Sequence, residues 1–315
     1  MGNSKKRILV AGASGLIGGH MVKSLLASGY AVRAVGKRSP GEWRQTFADA
    51  ENIQSDLSEK ANCYRAVEGM DEVYNLAADI GGVSFIEKNK ALCMLSVLIN
   101  THLLMAARDR GIEKYFYSSS FAVAAADTKP ASVLGDGHIW EKLFSEKLTQ
   151  YFREDFGLET RIGRLQNIYG THDVYDGGKE RAPAALCRKA ILAKREGRDA
   201  IEIWGDGTQR RSFLYVDDVV RGIRALMASD IREPVRIGSN EFVSINELAD
   251  CVIAAAGGGL RKEYNPKGPS GTERKADEIQ EIDARLGWKP EVPLREGIGR
   301  LYHWIESDMK AKGLI

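Results

Sequence analysis

The sequence has few cysteines and no excess of charge of either sign. Its four cysteines are Cys63, Cys93, Cys187 and Cys251. They form no C-x-x-C pair, so we expect reduced thiols and predict neither a zinc site nor a disulfide framework. The 45 Lys and Arg residues nearly balance the 43 Asp and Glu residues, which leaves a net charge of +2. This balance gives little electrostatic reason to expect a nucleic acid partner.

Long hydrophobic runs are also missing. No uninterrupted run approaches the roughly 18 apolar residues that a membrane helix needs. The start, MGNSKKRILV, leads from basic residues straight into a strand-like run, unlike a signal peptide. We therefore expect a cytoplasmic protein without a membrane partner. The 315 residues are 43% hydrophobic, which is too apolar for a disordered chain and sufficient for one large or two small domains.

Short β-branched runs alternate with longer helical patterns in the first half of the chain. Strands are predicted at 7–12, 30–35, 71–78, 114–120 and 159–165. Helices are predicted from about Ala91 to Arg110 and from His138 to about Phe156. This alternation indicates an α/β fold with a doubly wound parallel sheet, of the Rossmann type. The dinucleotide-binding domain is predicted to span residues 1–170, with a return segment at about 205–232.

The second half of the chain has a sparser pattern. Strand candidates at 201–205 and 212–216 lie on either side of the turn-forming Gly205-Asp206-Gly207. Ser244 followed by Glu247 predicts a capped helix start, and a last helix runs from about Leu294 to Lys312. These elements predict a smaller C-terminal α/β substrate domain, formed by residues 171–204 and 233–315.

A glycine-rich turn follows the first strand and opens the first helix, as a dinucleotide fingerprint requires. The first glycine permits a tight turn, the second lets backbone N–H groups approach a pyrophosphate, and the third permits close helix packing. The residues predicted to bind the cofactor here are Gly12, Ser14, Gly15, Leu16, Ile17 and Gly18.

The end of the second strand bears on the choice of cofactor. An NAD site usually places an acidic residue there, against the ribose 2′-hydroxyl, but this chain has Lys37 and Arg38. Two cations suit a 2′-phosphate, so NADP is preferred over NAD. The alternative is that both side chains belong to a solvated turn.

Several motifs occur in the order typical of one enzyme family. They are the G-x-x-G-x-x-G spacing, Asp56-Leu57, Asn75-Leu76-Ala77-Ala78, Ser118-Ser119-Ser120 and Asn167-Ile168-Tyr169-Gly170. With them the chain resembles the extended short-chain dehydrogenases/reductases, a family of nucleotide-sugar epimerases and dehydratases. The segments NLAADIGG, GRLQNIYG, APAALCRKA and WGDGTQRRSF resemble the members that epimerise a GDP-activated hexose.

The resemblance implies further binding residues. Asp56, Leu57, Ala77 and Ala78 would lie along the cofactor. The residues implied to bind the nucleotide sugar are Gly82, Asn167, Lys189, Arg211 and Arg274, the last together with Asp277. Relatives commonly dimerise through two helices that match Ala91–Arg110 and the helix holding His138, so a homodimer is expected from the resemblance.

The catalytic set of the family departs from its usual form in this chain. Members use a Ser, a Tyr and a Lys, with Tyr and Lys four residues apart on one helix face, where Tyr exchanges a proton with the sugar. Ser120 and Lys142 match the serine and the lysine, and His138 occupies the tyrosine position. Burial and a neighbouring ammonium both favour a neutral imidazole, which can accept a proton. The alternative for His138 is an ordinary structural residue at a helix start.

A second departure concerns epimerisation at two carbons. That reaction uses a cysteine and a lysine on opposite faces of the sugar in the resembling enzymes. Lys189 fits the lysine, but Ala122 occupies the cysteine position and has no proton to give. A single-centre epimerase or a 4-ketoreductase therefore fits better than a double epimerase.

These features together predict an NAD(P)-dependent enzyme that acts at or through C4 of a nucleotide-activated hexose, with a GDP-sugar favoured. No histidine or cysteine spacing suggests a metal site. The alternative function is a binding protein for cofactor and nucleotide sugar that has lost catalysis and serves as a sensor or partner subunit.

Overall fold

The computed structural model of the protein describes residues 5–124, 137–267 and 284–315. Arg274 and Asp277, which were predicted to contact the substrate, lie outside the described residues. The same holds for residues 125–136, between Ser120 and His138.

Seven parallel strands form the main sheet in the order β11-β6-β5-β4-β1-β2-β3. Their bounds are β1 Arg7–Ala11, β2 Ala31–Gly36, β3 Glu51–Gln54, β4 Glu72–Asn75, β5 Lys114–Ser120, β6 Thr160–Leu165 and β11 Val235–Ile237. Strands β1, β2 and β3 are added in one direction across the sheet, and β4, β5, β6 and β11 are added in the other. The direction of winding therefore switches at the boundary between β1 and β4. The predicted doubly wound parallel sheet is confirmed.

Helices cover both faces of this sheet because its strands are apolar on both sides. Ile8, Val10 and Phe116 face one core, while Leu9 and Tyr115 face the other. The bounds of the helices are α1 Leu16–Ala27, α2 Lys60–Val67, α3 Val83–Lys88, α4 Lys90–Met94, α5 Ser96–Asp109, α6 Gly137–Phe156, α7 Ala182–Arg195, α8 Val216–Ala228, α9 Ile245–Ala255 and α10 Leu294–Ala311. Helices α1 and α8 pack on the first core, and α2, α5 and α6 on the second.

Three short strand pairs accompany α7, α9 and α10 in the second half of the chain. They are β7 (Ile168–Tyr169) with β10 (Leu214–Tyr215), β8 (Ala200–Trp204) with β13 (Arg261–Asn265), and β9 (Arg210–Ser212) with β12 (Phe242–Ser244). The predicted capped start of α9 is present, since the Ser244 hydroxyl accepts from the Glu247 N–H and the Glu247 carboxylate accepts from the Ser244 N–H.

The strand candidates on either side of the 205–207 turn each pair with another strand, since β8 pairs with β13 while β9 and β10 pair with β12 and β7. The structure departs from the sequence expectations at two places. Val235–Ile237, placed beyond the domain boundary at 233, is an edge strand of the main sheet. The helix expected from Ala91 to Arg110 is divided at Leu95 into α4 and α5.

The stretch Lys90–Asp109 meets the length and hydropathy requirements of a membrane span, with 39% of its window buried. A core helix of a globular protein meets them too, so this is weak evidence for a membrane. Here α5 packs against α2 and α6.

A buried ion pair fastens α6 to the sheet. Glu146 on α6 accepts hydrogen bonds from Arg164 Nη2 at 2.6 Å and Arg164 Nε at 3.1 Å, and also from the Ser119 hydroxyl at 2.8 Å. The Glu146 and Arg164 side chains are 1% and 8% exposed. Charges so far from water are tolerated only when paired and hydrogen-bonded in this way.

Removing one partner of this pair should therefore destabilise the protein strongly. Glu146→Ala leaves the Arg164 guanidinium buried without its carboxylate, and we expect the free energy of unfolding to fall by about 3–5 kcal/mol. Chemical denaturation monitored by circular dichroism measures the change.

The matched control is Glu296→Ala, which breaks the exposed pair between Glu296 and Arg300 on α10. Its expected cost is below about 1 kcal/mol. Equal costs for the two variants would contradict a special role for the buried pair.

Candidate active site

The glycine-rich turn is held at the carboxyl end of the sheet. Gly12 adopts a left-handed φ of 85°, and the N–H groups of Gly12 and Ala13 both donate to the Val35 carbonyl of β2, at 2.9 and 3.0 Å. Gly15 then serves as the N-cap of α1. The turn therefore aims the start of α1, with its partial positive charge, at the space beyond the strand ends.

Close backbone approach explains the first and third glycines. A Cβ on Gly12 would lie 2.7 Å from the Leu76 carbonyl oxygen, and one on Gly18 would lie 2.1 Å from the Gly12 carbonyl oxygen. A Cβ on Gly15 would lie 3.2 Å from the Gly12 carbonyl oxygen, a tight contact, so a side chain is disfavoured here as well. Glycine at this helix start leaves the backbone N–H groups uncovered by a side chain, as a pyrophosphate site requires.

Lys37 and Arg38, the basic pair after β2, differ in their contacts. The Lys37 ammonium pairs with the Asp56 carboxylate at 2.9 Å, whereas the Arg38 side chain is exposed. Burial by itself raises the pKa of Asp56, but hydrogen bonds from Ser58 and Lys37 outweigh it and hold this pKa below its usual value. Arg38 is therefore the cation of the pair that stays free of this carboxylate.

A cavity of about 570 Å³ adjoins these residues at the carboxyl ends of β2 and β3. Lys37, Ile53, Asp56 and Arg65 contribute to its wall. Its size lies within the range of small-molecule pockets. Leu57, which follows Asp56 in the sequence, is buried, with 5% of its surface exposed.

Two amides hold the chain after β4, where Ala77 and Ala78 were predicted to follow the cofactor. The buried Asn75 accepts from the Ala77 N–H at 3.2 Å through Oδ1 and donates to Asn100 on α5 through Nδ2 at 3.1 Å. These contacts tie the segment to α5. The cofactor role of the two alanines stays a prediction.

Helix α6 and strand β5 place three of the four predicted catalytic residues. Ser120 ends β5, and its hydroxyl accepts from the Ala122 N–H at 3.2 Å. His138 and Lys142 lie one turn apart near the start of α6, with 7% and 4% of their surfaces exposed. The structure therefore buries the imidazole and the ammonium on the helix that packs against the serine's strand.

The Lys142 ammonium is surrounded by polar atoms. It donates to the Ser118 carbonyl at 3.1 Å and to the Tyr117 hydroxyl at 3.3 Å, and it lies 3.4 Å from Glu141 Oε2. The Tyr117 hydroxyl donates to Glu141 Oε1 at 3.1 Å. Burial, followed by the nearby Glu141 charge, raises the pKa of Tyr117 far above its usual value, so this phenol remains a donor.

Glu141 and Tyr117 were missed by the sequence analysis. Glu141 is 3% exposed, and within the described residues its Oε2 atom has no hydrogen-bond partner, so its compensation is the adjacent ammonium. The only sequence signal is a charged pair, Glu141-Lys142, in the second turn of an amphipathic helix. Such a pair ordinarily indicates solvent exposure.

Lys189 lies in a different group of residues. Its ammonium pairs with Glu202 at 2.8 Å and lies 4.9 Å from the centre of the Trp204 ring. Hydrogen bonds from Lys189 and Asn265 lower the pKa of Glu202 to about 2, so this carboxylate is ionised at neutral pH. The ionic partner Glu202 and the aromatic partner Trp204 of Lys189 therefore both lie on β8.

Gly82, Asn167 and Arg211 were also predicted to bind the substrate, and each has a hydrogen bond to the backbone of another residue. The Gly82 N–H donates to the Lys179 carbonyl at 3.1 Å. Asn167 has a left-handed φ of 37° and donates through Nδ2 to the Ser212 carbonyl at 2.9 Å. Arg211 lies on β9 and donates through Nη1 to the Arg210 carbonyl. Their substrate contacts stay predictions.

The glycine-rich turn lies at the carboxyl end of a doubly wound sheet whose strand β5 ends in Ser120 and packs against the helix that carries Lys142. These features define a Rossmann-fold enzyme of the short-chain dehydrogenase/reductase type. Residues 8–238 match the NAD dependent epimerase/dehydratase family. The chain belongs to this family, as its motifs predicted.

Similar proteins extend over nearly the whole chain. The GDP-mannose 3,5-epimerase of Arabidopsis thaliana is 38% identical over 326 aligned positions, covering 98% of this chain and 85% of that protein. The dTDP-4-dehydro-6-deoxy-D-allose reductase of Streptomyces bikiniensis is 30% identical and covers 95% and 96%. The fold also matches the UDP-glucose 4-epimerase of Thermotoga maritima, with a TM-score of 0.84, 24% identity and coverage of 96% and 99%.

Proposed function

We propose that the protein oxidises or reduces C4 of a nucleotide-activated hexose, with a GDP-sugar as the favoured substrate. The observation that carries this proposal is the burial of His138 and Lys142 one turn apart on α6, against the strand that ends in Ser120. The bound dinucleotide supplies hydride transfer, and the chain's own residues hold the sugar and move the proton. The 38% identical GDP-mannose 3,5-epimerase supports a GDP-sugar.

In this proposal His138 takes the proton of the C4 hydroxyl during oxidation and returns it during reduction. Ser120 hydrogen-bonds the reacting oxygen, and Lys142 orients the nicotinamide ribose. A free ammonium would oppose protonation of the imidazole. The Glu141 carboxylate, 3.4 Å from Lys142, offsets that charge, so His138 can hold the proton it receives.

Lys189 and Ala122 bear on whether the enzyme inverts the configuration at two carbons of the sugar or at one. An ion-paired ammonium has no lone pair, so Lys189 cannot remove the proton beside a ketone while it remains charged, and it could return a proton there only after another base had formed the enolate. Ala122 cannot act from the other face of the sugar. We therefore propose a single-centre epimerase or a 4-ketoreductase.

The test uses purified protein with GDP-mannose and with GDP-4-keto-hexoses, in the presence of NAD(H) or NADP(H). Absorbance at the reduced nicotinamide band reports hydride transfer, and mass spectrometry in deuterated water reports proton exchange beside the ketone. Hydride transfer is expected with at least one of these substrates. Cofactor binding with neither hydride transfer nor exchange would exclude the proposal and leave the alternative of a non-catalytic binding protein.

His138 variants distinguish a recruited imidazole from a lost catalytic group. If the imidazole moves the proton, His138→Ala should lower kcat by about 10² to 10⁴ with little change in cofactor affinity. His138→Tyr should also lose activity from an active parent. A silent parent that gains activity in His138→Tyr would instead indicate a disabled enzyme.

We propose NADP as the preferred cofactor, because Arg38 is free of the Asp56 carboxylate that holds Lys37. In Arg38→Ala the affinity for NADP should fall about tenfold or more, while the affinity for NAD stays within about twofold. Fluorescence titration with each dinucleotide measures this, and Arg198→Ala, in an exposed pair with Glu196, is the control. Equal losses for both dinucleotides would contradict a 2′-phosphate contact.

We also propose a homodimer formed through α4, α5 and α6. These helices leave large apolar side chains exposed, namely Met94, Leu95, Trp140, Phe144 and Tyr151, each at least 40% accessible. Helices α4 and α5 both pack against α6, and several large exposed apolar side chains on neighbouring helices are typical of an interface.

Charged substitution at this surface should prevent association. The double variant Leu95→Glu and Phe144→Glu is expected to elute as a monomer in size-exclusion chromatography with light scattering, where the parent elutes as a dimer. Substitution of the exposed Trp204 by Glu, on β8, is the control. A monomeric parent would contradict the proposal.

A further inference from the structure

A pocket of about 340 Å³ lies at the edge of the sheet opposite the candidate active site. Tyr30 and Glu72 adjoin it at the amino ends of β2 and β4, whereas Gly12, Asp56 and Ser120 lie at carboxyl ends. Helices α1 and α8 form its sides. Its lining residues from these helices are Ser24, Leu25, Arg221, Arg224, Met227 and Ala228.

Tyr74 supplies a buried donor to this pocket. The residue is 3% exposed and its ring packs on Phe116, with centroids 6.1 Å apart. None of the described residues hydrogen-bonds its hydroxyl, and this oxygen is not among the buried side-chain atoms that lack a partner, so it faces the space of the pocket. Burial raises the pKa of Tyr74 well above its usual value, so the phenol keeps its proton. The pocket therefore contains an unpartnered hydroxyl donor.

Arg224 supplies a cation beside it. Its Nη1 atom donates to the Ser24 hydroxyl at 2.8 Å, and among residues 5–124, 137–267 and 284–315 no carboxylate pairs with it. Arg221, one turn earlier on α8, is instead paired with Asp218 and with Glu291.

The one acidic residue of the lining is already compensated. Glu72 pairs with the Lys6 ammonium at 2.7 Å, and its side chain is 13% exposed. Its carboxylate still has lone pairs to accept hydrogen bonds from hydroxyl groups. The pocket therefore contains the Arg224 guanidinium, which has no carboxylate partner among the described residues, and the Glu72 carboxylate, whose charge is balanced by Lys6. The hydroxyl groups of Ser24, Tyr30 and Tyr74 also line it.

We propose that this pocket binds a phosphorylated hexose. The phosphate would contact Arg224, whose planar fork matches phosphate oxygens, together with the hydroxyls of Tyr74 and Ser24. The sugar hydroxyls would donate to Glu72, beside the Tyr30 ring. A pocket of about 340 Å³ has room for a sugar as well as its phosphate. This inference does not depend on the proposed reaction.

The test measures binding to the full chain both without and with NADP and GDP-mannose, whose proposed site is the cleft at the carboxyl ends of the strands. Isothermal titration with glucose 6-phosphate is expected to give saturable binding. Inorganic phosphate should bind more weakly, and glucose should not bind measurably. Absence of binding by millimolar glucose 6-phosphate would overturn the proposal.

Two variants locate the binding site. Arg224→Gln should weaken glucose 6-phosphate binding at least about tenfold, because a charged hydrogen-bonding partner is lost. Tyr74→Phe removes a single oxygen and keeps the ring, so it should weaken binding severalfold without unfolding the protein. If Arg224→Gln does not fold, the affinity of Tyr74→Phe for glucose 6-phosphate tests the proposal by itself.

Arg198→Gln, on the exposed segment before β8, is the control and should bind glucose 6-phosphate like the parent. Unchanged affinity in both Arg224→Gln and Tyr74→Phe would overturn the proposal. Binding to the unsaturated protein that GDP-mannose or NADP displaces would place the sugar phosphate in the cleft and would also overturn it.

Discussion

A layer of buried polar contacts between α6 and the sheet is the interaction on which the proposed chemistry depends. Glu146 holds Arg164 of β6 and Ser119 of β5 at hydrogen-bond distance, with both charged side chains nearly inaccessible to water. One helical turn earlier, Glu141 and Lys142 contact Tyr117 of β5. Such contacts have narrow geometric requirements, so they fix the rotation and height of the helix more tightly than apolar packing alone. A shift of α6 would separate His138 from the serine's strand.

The same layer sets the charge around His138. The Lys142 ammonium, proposed to contact the cofactor, is not an isolated cation, because a buried carboxylate lies 3.4 Å from it. A phenol is helped by an ammonium nearby, because the ammonium stabilises the phenolate. An imidazole is protonated when it works as a base, so the same ammonium hinders it. In the proposed reaction, the carboxylate of Glu141 would therefore suit the histidine at position 138 in a way that the lysine alone would not.

The sheet also separates two kinds of binding surface. Its carboxyl edge carries the glycine turn, the Lys37–Asp56 pair and the end of β5, as expected for an open parallel sheet. Its amino edge carries the pocket around Tyr74 and Arg224, which no motif in the sequence predicts. Strand β1 pairs with both β2 and β4. A ligand in the pocket at the amino ends of β2 and β4 would therefore contact the same part of the sheet that holds the glycine-rich turn at its carboxyl end.

The sequence by itself determined the fold class, the family and the position of the glycine turn. These depend on local patterns: the alternation of strands and helices, and glycines required where Gly12 has a positive φ and Gly18 meets the backbone of the turn. Tertiary structure decided which charges meet. The pairing of Lys37 with Asp56, of Lys189 with Glu202 and of Glu146 with Arg164 joins residues 13 to 19 positions apart that no periodicity connects. It also decided that β8 pairs with β13 rather than with its neighbour, because sheet pairing depends on where helices bring the strands and not on their order in the chain.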